Sequence, residues 1–274
     1  MIDSHFHIFD QCRFPFVENR SYTPGEAYLE SVNQIHAQLD VTHRVFVQPS
    51  IYGNDNRCLL NAMKDSHIPA KGIAVADPFT VSDEAIAELV GQNIVGFRFN
   101  PVANKEASSM SLSKQLAQWV DRLAGTSLIL EMYLSANDLD TVLPVLASAK
   151  SPVLLDHYAG FSPQGFSTAA LDYVVKSDAY VKCSAAYRCG QVDTSEYNDF
   201  VLSLAKHKAD RLVWGSDWPH TGGGKERLTR PITEIEPFRS VNLSADIRRL
   251  SELLDETQRK NMMANTPMAL YQFS

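Results

Sequence analysis

A chain of 274 residues, 45% hydrophobic and 21% charged, can bury a sizeable core and is too apolar for intrinsic disorder or a polyelectrolyte. Its 25 basic residues against 32 acidic ones, a formal charge of −7, argue against a nucleic-acid or acidic-membrane partner, because both need a basic field. Four cysteines without a CxxC pair make no disulfide framework and read as reduced thiols; no apolar leader follows Met1-Ile2-Asp3-Ser4-His5 and no run approaches the ~20 residues of a membrane span, so a cytoplasmic protein is expected.

Strand and helix patterns alternate along the chain. Ile2 to His7 reads as a strand followed by a helical pattern from Glu26 to Leu39; Arg44 to Gln48 leads into Asn56 to Asp65, and Lys71 to Val75 into Asp83 to Val90. Ile94 to Phe99 precedes Leu112 to Leu123, Leu128 to Tyr133 precedes Leu139 to Ala149, Val153 to His157 precedes Ala169 to Val175, and Tyr180 to Ser184 precedes Glu196 to Lys208. Arg211 to Ser216 is the eighth strand. Ser82, Ser111 and the pair Asn137-Asp138 stand where helix caps belong, and Pro152 restarts the chain as strand. This alternation predicts an α/β fold, a (β/α)8 TIM barrel with additional C-terminal helices between Leu243 and Tyr271, the second opened by Asp255, packed outside or beneath it. No Pro/Gly/Ser-rich linker divides residues 1–274, which are expected to form one domain.

In a parallel barrel the chemistry lies at the C-terminal strand ends. Strand one ends in His5-Phe6-His7, whose alternation points both imidazoles at the barrel mouth. Strand two ends at Gln48, strand four carries Arg98, strand five ends at Tyr133, strand six at Asp156-His157, and strand seven leads to Tyr187-Arg188. Strand eight runs into Gly215-Ser216-Asp217-Trp218-Pro219-His220. Taken singly, His157 reads as a core histidine, Asp217 as a helix cap and Arg188 as a surface cation; three histidines and a carboxylate at strand ends one, six and eight converge only in a barrel. Asp156 is expected to face away from His157. Arg98, in a buried-looking strand, needs an anion, and Glu131 either neutralises it or supports the imidazoles. His36, His43, His67 and His207 are expected at the surface. Gly222-Gly223-Gly224-Lys225 lacks the spacing of a phosphate loop and reads as a lid or loop edge; Asn242-Leu243-Ser244 matches a glycosylation pattern that carries no weight in a cytosolic chain.

Together, His5-Phe6-His7, His157 and the Gly215 to His220 block resemble the amidohydrolase superfamily, in its amidohydrolase 2 branch. The run from Val47 to Asn56, Gly96-Phe97-Arg98-Phe99-Asn100 and Val181 to Arg188 resemble the 2-pyrone-4,6-dicarboxylate hydrolase group. The resemblance implies a hydrolase that opens a small carboxylated lactone, with Asp217 as general base and His5, His7 and His157 around the scissile carbonyl. It also implies that Arg98, Tyr133 and Arg188 hold substrate carboxylates, with Tyr22 as a further active-site tyrosine; Gln48 and His220, at strand ends, complete the expected substrate contacts.

The chemistry agrees with that assignment: lactone opening needs a base for water and donors for the developing oxyanion, and an arginine fork grips a carboxylate through two parallel bonds. The nearest subgroup works without a metal, so no cofactor is the first expectation; a single zinc held by His5, His7, His157 and Asp217 is the alternative. A sugar-acid lactone isomerase and a mononuclear zinc decarboxylase are the other enzymatic readings. A non-catalytic acid sensor is disfavoured by the complete acid-base set.

Overall fold

The computed structural model describes residues 1–101, 111–161, 165–190, 194–223, 227 and 229–273; Gly224 and Lys225 of the glycine-rich loop lie outside them. Eight parallel strands follow one another around a single sheet: β1 (Ile2–Phe6), β2 (His43–Val47), β3 (Ala70–Ala74), β4 (Ile94–Phe99), β5 (Ile129–Met132), β6 (Val153–Leu155), β7 (Tyr180–Ser184) and β8 (Leu212–Gly215). A Phe6–Trp218 bridge joins the first strand to the segment after the last, giving the expected TIM barrel. The outer helices are α1 (Leu29–Gln38), α2 (Arg57–Lys64), α3 (Asp83–Gly91), α4 (Leu112–Leu123), α5 (Ala136–Leu146), α6 (Thr168–Lys176) and α7 (Ser195–Lys208). Ser82 and Ser111 cap α3 and α4 as expected, each accepting a backbone N–H. The cap of α5 is Ser135 in a capping box with Asp138, not Asn137-Asp138. No helix among the described residues is long and apolar enough to cross a membrane.

The barrel interior is layered. Val45, Val47, Ile73, Val95, Ile129, Leu154 and Val213 form an apolar floor closed by Leu270 and Tyr271. These last two end the C-terminal helices α8 (Leu243–Leu253), α9 (Glu256–Lys260) and α10 (Thr266–Leu270), so this segment plugs the base of the barrel. Two irregularities then set which side chains point inward. Between Gly72/Ile94 and Ile73/Gly96 the register shifts by one residue, a bulge that lets Val95 and Arg98 both face the interior while Phe97 stacks outside on Trp119. Gly96 permits it, since a Cβ there would lie 2.4 Å from the Ile129 carbonyl oxygen.

A second shift falls between Asp3 and Phe6. It turns Asp3 outward, where its carboxylate accepts the Ser216 N–H (2.9 Å), the Ser216 hydroxyl (2.6 Å), the His5 N–H (3.1 Å) and a bond from His36 Nε2 (2.9 Å). His36 is 3% exposed, which corrects the expectation of a surface group: strand alternation alone does not reveal that a buried carboxylate faces α1. Gly215 allows β8 to approach this seam, because a Cβ would come within 2.7 Å of the His5 Cβ.

Candidate active site

Above the apolar floor, the β1 bulge points His5 and then His7 into the mouth. Asp217 follows β8 with φ of 55°, its N–H held by the His5 carbonyl (2.8 Å), and a cis Trp218–Pro219 bond comes next. His157 follows β6 with φ of 53°, and Ala185 follows β7 with φ of 49°. Left-handed backbone at non-glycine residues costs free energy and persists only where surrounding contacts impose it. Three such residues stand at strand ends around one cluster.

The cluster is tight. His5 Nε2, His157 Nε2 and His7 Nε2 lie 3.5, 3.7 and 3.8 Å from Asp217 Oδ1, and the His5 and His7 Nε2 atoms are 3.3 Å apart. The other carboxylate oxygen, Oδ2, accepts the Tyr187 hydroxyl (2.5 Å) and Arg188 Nε and Nη2 (3.3 and 3.2 Å). Burial alone would push the Asp217 carboxyl up, but the Arg188 guanidinium beside it holds it well below the ordinary carboxylate range. Burial acts the other way on the imidazoles: His7 is lowered to about 4, His157 to about 3 and His5 well below its usual value. The site therefore rests as one anion among neutral imidazoles.

Hydrogen bonds fix two of the tautomers. His7 Nδ1 lies 2.8 Å from the Val47 carbonyl, which only accepts, so Nδ1 carries the proton and Nε2 is bare. His5 Nδ1 lies 2.9 Å from Lys182 Nζ; an ammonium only donates, so Nδ1 is bare and Nε2 carries the proton. His157 Nδ1 contacts the Ser184 hydroxyl (2.8 Å), which can play either part.

An ionic layer lies directly below. Lys182 Nζ contacts Glu131 Oε2 (2.6 Å) and Asp156 Oδ1 (3.1 Å), and Arg98 gives Nε and Nη2 to Asp156 Oδ2 (3.2 and 3.0 Å). Burial, then Asp156, pushes the Glu131 carboxyl up to about 7 against the pull of Lys182 and Arg98. Glu131 thus meets both expectations, standing 3.8 Å from Arg98 and 3.6 Å from His5 Nδ1. Asp156 is a correction: it is fully buried and faces inward with Leu154, and His157 reaches the same interior because its left-handed backbone breaks the alternation.

The remaining expected residues border this centre. The Tyr133 ring packs edge-on against His157 at 4.9 Å, and the buried Tyr22 ring lies 3.8 Å under the Arg227 guanidinium. Gln48 gives its amide to the Asp55 carbonyl (2.8 Å) and leaves Oε1 without a partner among the described residues. His220 is buried with Nε2 likewise unpartnered, facing Tyr187 at 6.3 Å. Arg188 also donates to the carbonyls of Gly222 and Thr221 (both 3.1 Å). Lys182 and Tyr187 are not singled out by sequence reasoning as functional. The sequence signal for Lys182 is a charge within an otherwise uncharged strand, Tyr180–Ser184; for Tyr187 it is adjacency to Arg188.

Two donor sets, His5–His7–Asp217 and His5–Asp156–His157, gather within 4.8 Å, and zinc takes such ligands. A ligating nitrogen must be bare. His7 meets that requirement; His5, common to both sets, offers a protonated Nε2 to the first, and its Nδ1 side is taken by the Lys182 ammonium in the second. The residues as arranged do not fit a zinc ion.

The chain matches the amidohydrolase family over residues 2–273 and belongs to it, as the strand-end motifs suggested. It is 28% identical over 234 residues to 4-sulfomuconolactone hydrolase of Rhizobium radiobacter, covering 80% of this chain and 76% of the relative. It is 26% identical over 236 residues to 2-pyrone-4,6-dicarboxylate hydrolase of Comamonas testosteroni, covering 80% and 76%. The crystal structure of a probable 2-pyrone-4,6-dicarboxylic acid hydrolase from Acinetobacter baumannii, with citric acid bound, superposes over 99% of both chains with a TM-score of 0.76 at 25% identity.

Proposed function

We propose that this amidohydrolase opens a small carboxylated lactone by metal-independent hydrolysis, with Asp217 as the general base. The observation that carries this reading is the asymmetry of Asp217: Tyr187 and Arg188 hold Oδ2, while Oδ1 faces three imidazoles. A water between Asp217 Oδ1 and the bare His7 Nε2 donates one proton to each. As its oxygen bonds to the lactone carbonyl carbon, one proton passes to Oδ1 and the carbonyl oxygen becomes anionic. The His5 Nε2–H is the fixed donor for that oxyanion. The tetrahedral adduct then expels the ring oxygen, which takes the proton held by Asp217, so one water is added, one C–O bond breaks, and an acid and an alcohol result.

The acid group of the substrate falls to Arg188 and its surroundings. Beside it a cavity of about 130 Å³ is lined, among the described residues, by Arg227, Arg230 and Arg239 and by one carboxylate, Glu236. The Gly222 carbonyl, shared by Arg188 and Arg227 (3.1 and 3.0 Å), joins this cavity to the centre. A substrate carboxylate that shares Arg188 weakens its pair with Asp217, which raises the basicity of Asp217 when water is in place.

The test is a panel of pyrone dicarboxylates, muconolactones and aldarolactones at neutral pH, with and without chelator. Ring opening that survives chelation is expected, and Asp217→Asn should keep the fold while lowering turnover roughly a hundredfold or more. Inert lactones would end the proposal, an isomeric lactone as product would replace hydrolysis by isomerisation, and chelator-sensitive turnover would restore the zinc reading.

A further inference from the structure

Lys182 has no direct access to a substrate at the mouth: it is fully buried on β7, one layer below. Its ammonium donates to Glu131 Oε2 at 2.6 Å and His5 Nδ1 at 2.9 Å and makes an ion pair with Asp156 Oδ1 at 3.1 Å. An ammonium has three donors and no lone pair, so it can only donate, and one of its two hydrogen-bond acceptors among the described residues is a ring nitrogen of the first histidine of the HxH pair. Two carboxylate oxygens also face that nitrogen, Asp156 Oδ1 at 3.4 Å and Glu131 Oε1 at 3.6 Å. Were the ammonium absent, those oxygens would accept a proton from Nδ1, and Nε2 would become the bare nitrogen. That Nε2 would join the bare His7 Nε2 and Asp217 Oδ1, a donor set that zinc accepts.

From this geometry we propose that Lys182 is a positioning residue that selects the tautomer of His5. It keeps His5 as an N–H donor toward the lactone carbonyl oxygen and, by the same bond, denies the HxH–Asp cluster the bare nitrogen that a divalent metal requires. One lysine thus chooses between two chemistries for the same cluster, polarisation by an imidazole N–H and Lewis-acid catalysis. The catalytic half of the inference rests on the proposed lactone hydrolysis; the tautomer and the metal exclusion do not.

The test reads the tautomer first. In protein labelled with ¹⁵N-histidine, the nitrogen shifts and long-range proton couplings of His5, assigned with a His5→Gln control, should report Nε2–H in the wild type. Nδ1–H there overturns the proposal in the wild-type protein itself. Lys182→Met paired with Glu131→Gln removes the ammonium while keeping the layer's charge balanced; it should shift His5 to Nδ1–H and bind zinc chloride at least tenfold more tightly than the wild type by competition with a chromophoric chelator. Lys182→Arg, which still donates, should keep Nε2–H and the weak zinc binding. Unchanged zinc affinity in the double variant overturns metal exclusion. Because none of these readouts uses turnover, failure of every lactone in the panel would leave them standing, and their failure would leave the hydrolase assignment standing.

Discussion

The two polar layers of the barrel interior each set an arginine against an aspartate, and they use the pair differently. In the lower layer Asp156 is enclosed by Arg98, Lys182 and His5, and none of these groups is more than 5% exposed. At the mouth Arg188 and Tyr187 occupy one oxygen of Asp217 and leave the other toward three imidazoles. Both carboxylates are held in the anionic form, since burial would raise each and the neighbouring cations more than offset it. The difference is geometric: an enclosed carboxylate organises its neighbours, and one with an open oxygen can take a proton.

The largest expected effect breaks the lower pair. Arg98→Met leaves Asp156 and Glu131 sharing Lys182 as their remaining cation, and removing one partner of a buried pair costs about 3–5 kcal/mol. The urea midpoint should fall to match; a midpoint near that of the wild type would mean that the enclosure of Asp156 contributes little. Activity lost in proportion to the unfolded fraction would keep Arg98 structural, whereas an added rise in KM for acidic lactones alone would give it the substrate contact suggested by the resemblance.

Acid should act on both layers at once. His5, His7 and His157 are neutral in the folded protein, with values below the usual one, so as pH falls below 6.5 the unfolded chain binds protons that the folded chain refuses, and stability is lost. Glu131, raised to about 7, works in the opposite sense between pH 7 and its ordinary value. Three histidines against one carboxyl leave a net loss on acidification, on the order of 3 kcal/mol from pH 6.5 to 5. Denaturant titrations at the two values check this, and stability that rises toward pH 5 would contradict the neutral cluster.

The smallest effect sharpens the mouth. Tyr187→Phe removes one hydroxyl donor from Asp217 Oδ2 and leaves Arg188 in place. Turnover should fall about tenfold, in keeping with one hydrogen bond to a charged group, and the acid limb of the rate profile should move up as the carboxylate becomes more basic. A profile that does not move would remove Tyr187 from the control of Asp217.

Much of this architecture is legible in the order of residues along the chain. Eight apolar runs separated by amphipathic ones dictate a closed parallel barrel, and a barrel turns sequence order into proximity, so His5, His7, His157 and Asp217 can be placed at one mouth from their positions at strand ends alone. The cap at Ser135 escapes sequence reading because two adjacent polar residues, Asn137 and Asp138, offer the same local signal two positions later. Such errors shift a boundary and leave the topology intact.

What only the tertiary structure decided is direction and pairing. Strict alternation predicts that Asp156 and His157 point opposite ways and that Asp3 shares the face of His5; a left-handed turn and a bulge overturn both, and each is held in place by contacts remote in sequence. The inward charge of Lys182 acquires meaning only beside Glu131, Asp156 and His5, 51, 26 and 177 residues away along the chain. Residue types and their order determine which elements form and where they end. Which nitrogen of an imidazole carries the proton, and which oxygen of a carboxylate stays open, is determined by hydrogen bonds that exist once the barrel has closed.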